Sequence, residues 1–301
     1  MSLLVTGSIG IDTIKTPYSV RENCLGGSAV YFSMAASFFS PVRFVGVIGS
    51  DCPFDLAEVF ADRDVDLRGL EIREQSKTFR WAGTYHEDMD DRTTDHVELN
   101  VLAEAPPKVP DEFKDSKFVF LANTSPILQQ QLLEQIDEPV FVAVDTMNLW
   151  IQQYLDDLTA LLEKIDCLII NEDEARMLAN QQNLVKAVQK ILDMGPSVVI
   201  AKKGESGSIM CNTDGDIFIL PAFPAEDVKD PTGAGDSFAG GLMGYLAQSG
   251  RTDFETLKMA VAYGTVVASF TLEDFSVNGL TSTNRTEIDK RLELLRQVTK
   301  F

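Results

Sequence analysis

The run Asp230-Pro231-Thr232-Gly233-Ala234-Gly235-Asp236, continued by Ser237-Phe238-Ala239-Gly240-Gly241, places two glycines and an acid where a helical pattern begins. Phe238, Leu242, Tyr245 and Leu246 recur at helical spacing and give that helix a buried face. A glycine turn that opens a helix leaves the N–H groups of residues 233 to 236 without intrahelical acceptors. Unpaired donors and the helix dipole together attract anions. Gly233 and Gly235 also let a ligand approach the backbone closely. An anion hole with a carboxylate inside it suits removal of a proton coupled to charge stabilisation on a transferring phosphoryl group. The same turn could serve only to pack a helix on a sheet. The Rossmann spacing and the Walker A lysine pattern are both absent from it.

Other residues at element ends carry related chemistry. Asp12 follows the apolar strand Leu3 to Thr6 and is placed beyond its carboxyl end, where open α/β sheets bind ligands. Gly26-Gly27 precede a small and apolar helical run from Ser28 to Phe39 that includes Tyr31. Asn171 and Glu174 follow the apolar run Cys167 to Ile170 with the spacing of a capping box. The same pair has the oxygen chemistry to reach Mg²⁺ through water. Lys202-Lys203-Gly204-Glu205-Ser206-Gly207 is a G-x-x-G turn after the strand Val198 to Ala201, a spacing that hairpins also use.

These residues need a scaffold that gathers strand ends. Apolar strands at 118–122, 140–144, 167–170 and 197–201 alternate with helical segments near 127–136, 150–164 and 173–192. That alternation predicts a mostly parallel sheet with helices on both faces. A strand over 44–49, an amphipathic helix from about Asp55 and a strand from Asp216 to Leu220 are also expected. Residues 13–24 read as short strands outside the main sheet. Residues 77–102 read as a β-hairpin, with Trp81 and Tyr85 on one face, over a ligand, core or a second subunit. Its acidic turn, Glu87 to Asp91, lacks EF-hand spacing and is read as a solvated loop; His86 and His96 are read as surface residues.

The chain has 301 residues and a formal net charge of −20, which argues against nucleic-acid and anionic-membrane partners. Phosphate ligands are still allowed, because local amides, Mg²⁺ and a few lysines can reverse the field locally. Cys24, Cys52, Cys167 and Cys211 lie far apart, so reduced thiols are expected. With no basic leader and no apolar run long enough for a bilayer, the expected location is the cytoplasm.

Asp12, Gly26-Gly27, N-x-x-E at 171–174, K-x-G-x-x-G at 202–207 and D-x-T-G-A-G-D at 230–236 occur in the order of the ribokinase (PfkB) family of carbohydrate and nucleoside kinases. The chain resembles that family over nearly its whole length. The resemblance implies a three-layer αβα ribokinase-like fold in one kinase domain, residues 1–301, with a β-lid formed by about 13–24 and 77–102. It implies ATP and Mg²⁺ as cofactors and transfer of a phosphoryl group to a hydroxyl of a small sugar-like substrate, with a nucleoside as the alternative acceptor. A catalytically silent metabolite sensor is the third and least favoured reading, since the catalytic motifs are intact. Asp236 is then the general base, and the amides of Gly233, Ala234 and Gly235 form the anion hole. Asp12, Gly26, Gly27 and Tyr31 face the substrate. Asn171, Glu174, Lys202, Gly204 and Gly207 face the nucleotide, with Glu174 reaching Mg²⁺ through water. Asp230 and Thr232 match positions that bind an activating monovalent cation such as K⁺, and lid strands of relatives often pair in a homodimer. Two departures stand out. Tyr31 occupies the position where the family often has a sugar-binding Asn, and Asp145-Thr146-Met147-Asn148-Leu149-Trp150 lacks the D-x-N-x-R of sugar-acid kinases.

Overall fold

The apolar strands each point alternate side chains to opposite faces, and both faces are covered. Leu3 and Val5, Phe118 and Phe120, Ile169 and Ile200 enter one core, whereas Leu4, Val119, Leu121, Leu168, Ile170 and Val199 enter the other. Continuous apolar strands of this kind belong to the middle layer of an α/β sandwich. The computed structural model describes residues 1–87, 89 and 92–300; Asp88, Asp90 and Asp91 of the expected acidic loop lie outside the described residues.

In chain order the first half comprises β1 (Leu3–Thr6), β2 (Gly10–Lys15), β3 (Val20–Gly26), α1 (Ser28–Ala36), β4 (Val42–Gly49), α2 (Leu56–Val59), β5 (Val65–Arg73), β6 (Phe79–Tyr85), β7 (Arg92–Glu98), β8 (Phe118–Leu121) and α3 (Pro126–Leu133). It continues with β9 (Phe141–Asp145), α4 (Asn148–Gln153), α5 (Leu155–Leu162), β10 (Cys167–Asn171), α6 (Glu172–Ala179), α7 (Leu184–Leu192), β11 (Val198–Lys202), β12 (Ser208–Asn212) and β13 (Ile217–Leu220). The C-terminal part is helical: α8 (Ala234–Ser249), α9 (Phe254–Thr271), α10 (Asn278–Thr281) and α11 (Arg285–Thr299).

The large sheet has the order β13-β12-β11-β10-β9-β8-β1-β4-β5. It is parallel from β11 to β5, and β12 and β13 add antiparallel strands at one edge. The parallel strands therefore release their chain ends along one edge, where ligands of such sheets bind. Helices α1, α8, α9 and α11 contribute to the first core, and α3, α5, α6 and α7 to the second. The glycines of α8 are packing devices: a Cβ on Gly240 would lie 2.4 Å from the Phe32 carbonyl oxygen of α1.

A second sheet, β3-β2-β6-β7, is built from the two segments expected outside the main sheet. β6 and β7 form the anticipated hairpin, and β2 pairs parallel to β6. Trp81 and Tyr85 pack with Ile14, Met89 and Phe275, so this face of the hairpin covers a small core of its own. His86 and His96 are exposed, as expected.

Some expectations change in detail. Asp12 is not in a turn after β1 but inside β2, paired with Cys24 of β3. The helix after Asp55 is a single turn, although Asp55 caps it as an N-cap acid does, accepting from the Ala57 N–H. The segment 173–192 splits at Asn180, whose left-handed backbone ends α6. β5 was not anticipated because this edge strand carries Asp66, Arg68, Glu71 and Arg73 and shows no apolar run. β12 follows the G-x-x-G turn directly and carries no prediction of its own, because its five residues are too few for a clear period-two signal.

Candidate active site

The head of α8 is organised by buried Asp230. Its Oδ1 accepts the Thr232 N–H at 2.9 Å, while the Lys229 and Asp230 N–H groups donate to the Leu272 carbonyl. Gly233 is the N-cap and adopts φ 79°, ψ 0°, and an added Cβ there would strike the Tyr31 ring at 2.4 Å. Backbone conformation and close approach both require glycine. Of the amides expected in the anion hole, that of Ala234 closes the turn by donating to the Pro231 carbonyl at 3.2 Å. Among the described residues no backbone acceptor meets those of Gly233 and Gly235. A Cβ on Gly235 would lie 2.8 Å from Lys202 Nζ. The ammonium at the end of β11 thus lies over the turn, a cradle of two free amides and one cation that fits a phosphate group.

Asp236 sits in the first turn of α8 and is half-buried. A helix N-terminus favours an ionised carboxylate, and the sequence alone predicts that state. Here the opposite effect wins: burial, reinforced by the Asp145 charge, pushes the carboxyl up to about 7, with Lys202 and Arg92 pulling the other way. Burial of the carboxyl and the charge of the neighbouring acid together outweigh the helix end. A carboxyl poised near neutrality suits a group that takes and returns a proton.

Asp12 faces the same space from the small sheet. The β2–β3 register slips between Asp12 and Ile14, where Asn23 takes φ 54°. Such a bulge re-aims the neighbouring side chain. The Asp12 carboxyl lies against Gly26, where an added Cβ would sit 1.8 Å from Oδ2. Asp12 is 4% exposed, and its Oδ1 has no hydrogen-bond partner among the described residues. Burial, then Asp230 and Asp236, raise its carboxyl to about 8. Gly27 caps α1 at φ 101°, and an added Cβ there would lie 2.4 Å from the Ser8 carbonyl oxygen. Tyr31 follows one helical turn later; its hydroxyl is buried without a partner among the described residues, and burial together with Asp230, Asp12 and Tyr85 raises its pKa. Tyr85 of the hairpin accepts a hydrogen bond from Thr232 Oγ1 at 3.1 Å, joining the small sheet to the signature turn.

On the other side lie the residues expected at the nucleotide. Asn171 and Glu174 complete a reciprocal capping box, with Glu174 N–H to Asn171 Oδ1 at 2.8 Å and Asn171 N–H to Glu174 Oε2 at 3.1 Å. Glu174 is nonetheless buried, and burial followed by the Asp145 charge lifts it to about 7. Gly204 and Gly207 bound a tight 3-10 turn joining β11 to β12, closed by Lys203 N–H to the Gly207 carbonyl at 2.7 Å. No cluster of three or more His, Cys, Asp or Glu among the described residues is arranged to grip a metal ion. The oxygen of Glu174 would suit a magnesium ion held through water.

Two residues join the site that sequence reasoning did not place there. Asp145, at the end of β9, is 7% exposed and lies 3.8 Å from Lys202 Nζ. Its position at a strand's carboxyl end was the available signal. Burial raises the carboxyls of Asp236, Asp145 and Glu174, and the charge of Arg92, the exposed first residue of β7, opposes that rise in all three. Its polar surroundings in the sequence offered no signal.

Comparison with known proteins gives the family and the fold. Residues 12–284 match the sequence profile of the pfkB family carbohydrate kinase. The chain is 30% identical over 255 residues to a cytidine kinase of Thermococcus kodakarensis, covering 81% of this chain and 88% of that enzyme. Its fold is similar to a nucleoside kinase of Methanocaldococcus jannaschii, described as an archaeal member of the ribokinase family (TM-score 0.77, 18% identity, 97% of this chain and 98% of that one). It is equally similar to aminoimidazole riboside kinase from Salmonella enterica, solved with aminoimidazole riboside and an ATP analogue (TM-score 0.77, 18% identity, 97% and 100%).

Proposed function

The chain belongs to the pfkB family of carbohydrate kinases, and from that membership and its acid-lined site we propose that it transfers the γ-phosphoryl group of ATP to the hydroxymethyl group of a nucleoside. The observation that carries this reading is the pair of buried oxygens without partners among the described residues, Asp12 Oδ1 and the Tyr31 hydroxyl, both within reach of the Asp236 charge. Buried polar atoms without partners are costly, and a polyhydroxylated ligand supplies what both lack. The nucleoside class rests on the cytidine kinase of similar sequence over most of both chains. It also suits Tyr31, whose aromatic ring stands where a sugar kinase of this family often carries Asn.

In this mechanism Asp12 and Tyr31 bind ribose hydroxyls and orient the acceptor. Asp236 accepts the proton from the attacking hydroxyl. The N–H groups of Gly233 and Gly235 and the Lys202 ammonium hold the charge of the group in transfer. Mg²⁺, when bound, neutralises phosphate charge, and Glu174 would meet it through water. Asp230 Oδ2, buried without a hydrogen-bond partner among the described residues, is the acceptor a monovalent cation would take. The small sheet, as a lid over residues 10–26 and 79–98, would exclude water from the transfer.

The test is a phosphorylation screen with ATP and Mg²⁺ over cytidine, other nucleosides, free ribose and fructose. The nucleosides are expected to give the highest kcat/KM, and a preference for a free sugar would return the assignment to the sugar class. Asp236→Asn is expected to keep its thermal midpoint and lose about three orders of magnitude in kcat or more. Near-wild-type turnover by that variant would remove Asp236 from its role.

A further inference from the structure

Lys202 and Asp145 end strands that are not neighbours. In the sheet, β10 lies between β11 and β9, with Lys202 level with Asn171 and Asp145 level with Ile169. Two strand spacings amount to about 9 to 10 Å, so the lysine must lean across the end of β10 to come within 3.8 Å of Asp145 Oδ1. In the same pose its ammonium lies over Gly235 at the head of α8. No other acid among the described residues is within ion-pair distance of it. The two partners differ in freedom. Asp145 is fixed by the Thr146 N–H on its Oδ1 at 2.9 Å and by Gln129 Nε2 on its carbonyl oxygen at 3.0 Å, whereas Lys202 has a four-carbon stem. The buried Gln129 also ties the Leu121 and Ala122 carbonyls, so the anchor under Asp145 spans the ends of β8 and β9.

We propose that Asp145 is a positioning residue that aims the Lys202 ammonium across the glycine turn, so that Lys202 waits in place for the phosphate charge gathered at the head of α8. The proposal rests on the nucleotide reading above and deepens it. A lysine already held in its bound geometry loses less freedom when the nucleotide arrives. The arrangement has an opposing term, because Asp145 is itself an anion beside an anion site. By charge alone, neutralising it would strengthen the binding of a polyphosphate. Positioning and bare charge therefore predict opposite signs.

The experiment is a double-mutant cycle on Mg·ATP affinity, measured by calorimetry on wild type, Asp145→Asn, Lys202→Met and the double variant, with denaturation midpoints confirming the fold. Positioning predicts that Asp145→Asn weakens Mg·ATP binding about fivefold to tenfold in the wild-type background and does not weaken it when Lys202 is already Met. Asp145→Glu, which keeps the charge on the same strand end, is expected to recover affinity to within about threefold of wild type. Tighter or unchanged binding by Asp145→Asn, or equal losses in both backgrounds, overturns the proposal while leaving the kinase reading intact. A wild-type protein that does not bind Mg·ATP at all overturns both.

Discussion

Replacing Asp12 by Asn should make the ligand-free protein more stable in alkaline solution while damaging catalysis, and the size of the effect follows from its burial. The Asp12 carboxyl is raised from 3.8 to about 8 in the folded chain. The folded state therefore holds this proton more tightly than the unfolded chain does. The contribution to stability is fully present below the unfolded value and is lost as pH rises through the folded one. At about 1.4 kcal/mol per unit, the loss up to about pH 5.5 is about 2 kcal/mol, and up to about pH 8.5 it is about 5 kcal/mol. Asparagine fills the same space and carries no charge at any pH, so it is free of this loss. The stability of Asp12→Asn relative to wild type should consequently rise by about 3 kcal/mol between those two pH values.

The assay is thermal unfolding of both proteins without ligand across that range. At roughly 2 °C per kcal/mol for a chain of this size, the gap in midpoint should widen by about 6 °C toward alkaline pH. Turnover should fall in the same variant, because one of the two carboxyl oxygens that accept substrate hydroxyls is replaced by an NH₂ group that can only donate. A gap that stays constant with pH, or one that narrows as pH rises, would refute the claim that Asp12 is desolvated in the folded chain. A stabilised variant with full activity would instead refute its place in the substrate site.

Two further substitutions probe the neighbouring contacts. Gly233→Ala forces a side chain onto a backbone at φ 79° and against the Tyr31 ring at 2.4 Å. It should cost about 1 to 3 kcal/mol of stability and most of the activity; an unchanged melting midpoint would show that the turn relaxes freely. Tyr31→Phe removes a buried hydroxyl that has no partner among the described residues. The thermal midpoint should stay level or rise, since no hydrogen bond is lost, while KM for the nucleoside should rise about tenfold if that hydroxyl binds substrate. A lower midpoint with unchanged KM would make Tyr31 a packing residue only.

What was legible in the sequence divides along a physical line. Local devices declare themselves, because the residues that make them are adjacent. The Asn171–Glu174 capping box is present with both of its hydrogen bonds, and the glycine turn before Asp236 opens α8 as its spacing requires. Strands buried on both faces were also readable, since Phe118–Leu121 and Cys167–Asn171 are nearly all apolar. Strands that are half solvated were not: β5 carries a charge at every second or third position, and Arg92 opens a strand exposed along most of its length. The protonation of Asp236 was read in the wrong direction for a different reason. The helix end that favours its charge is local, whereas the burial that opposes it exists only in the folded chain and the Asp145 charge comes from a strand some ninety residues earlier. A motif therefore states which group acts, but the value at which that group holds its proton is set by segments that meet only after folding. That is why Asp145, chemically silent in its own stretch of sequence, touches the electrostatics of Asp236, Glu174 and Lys202 at once.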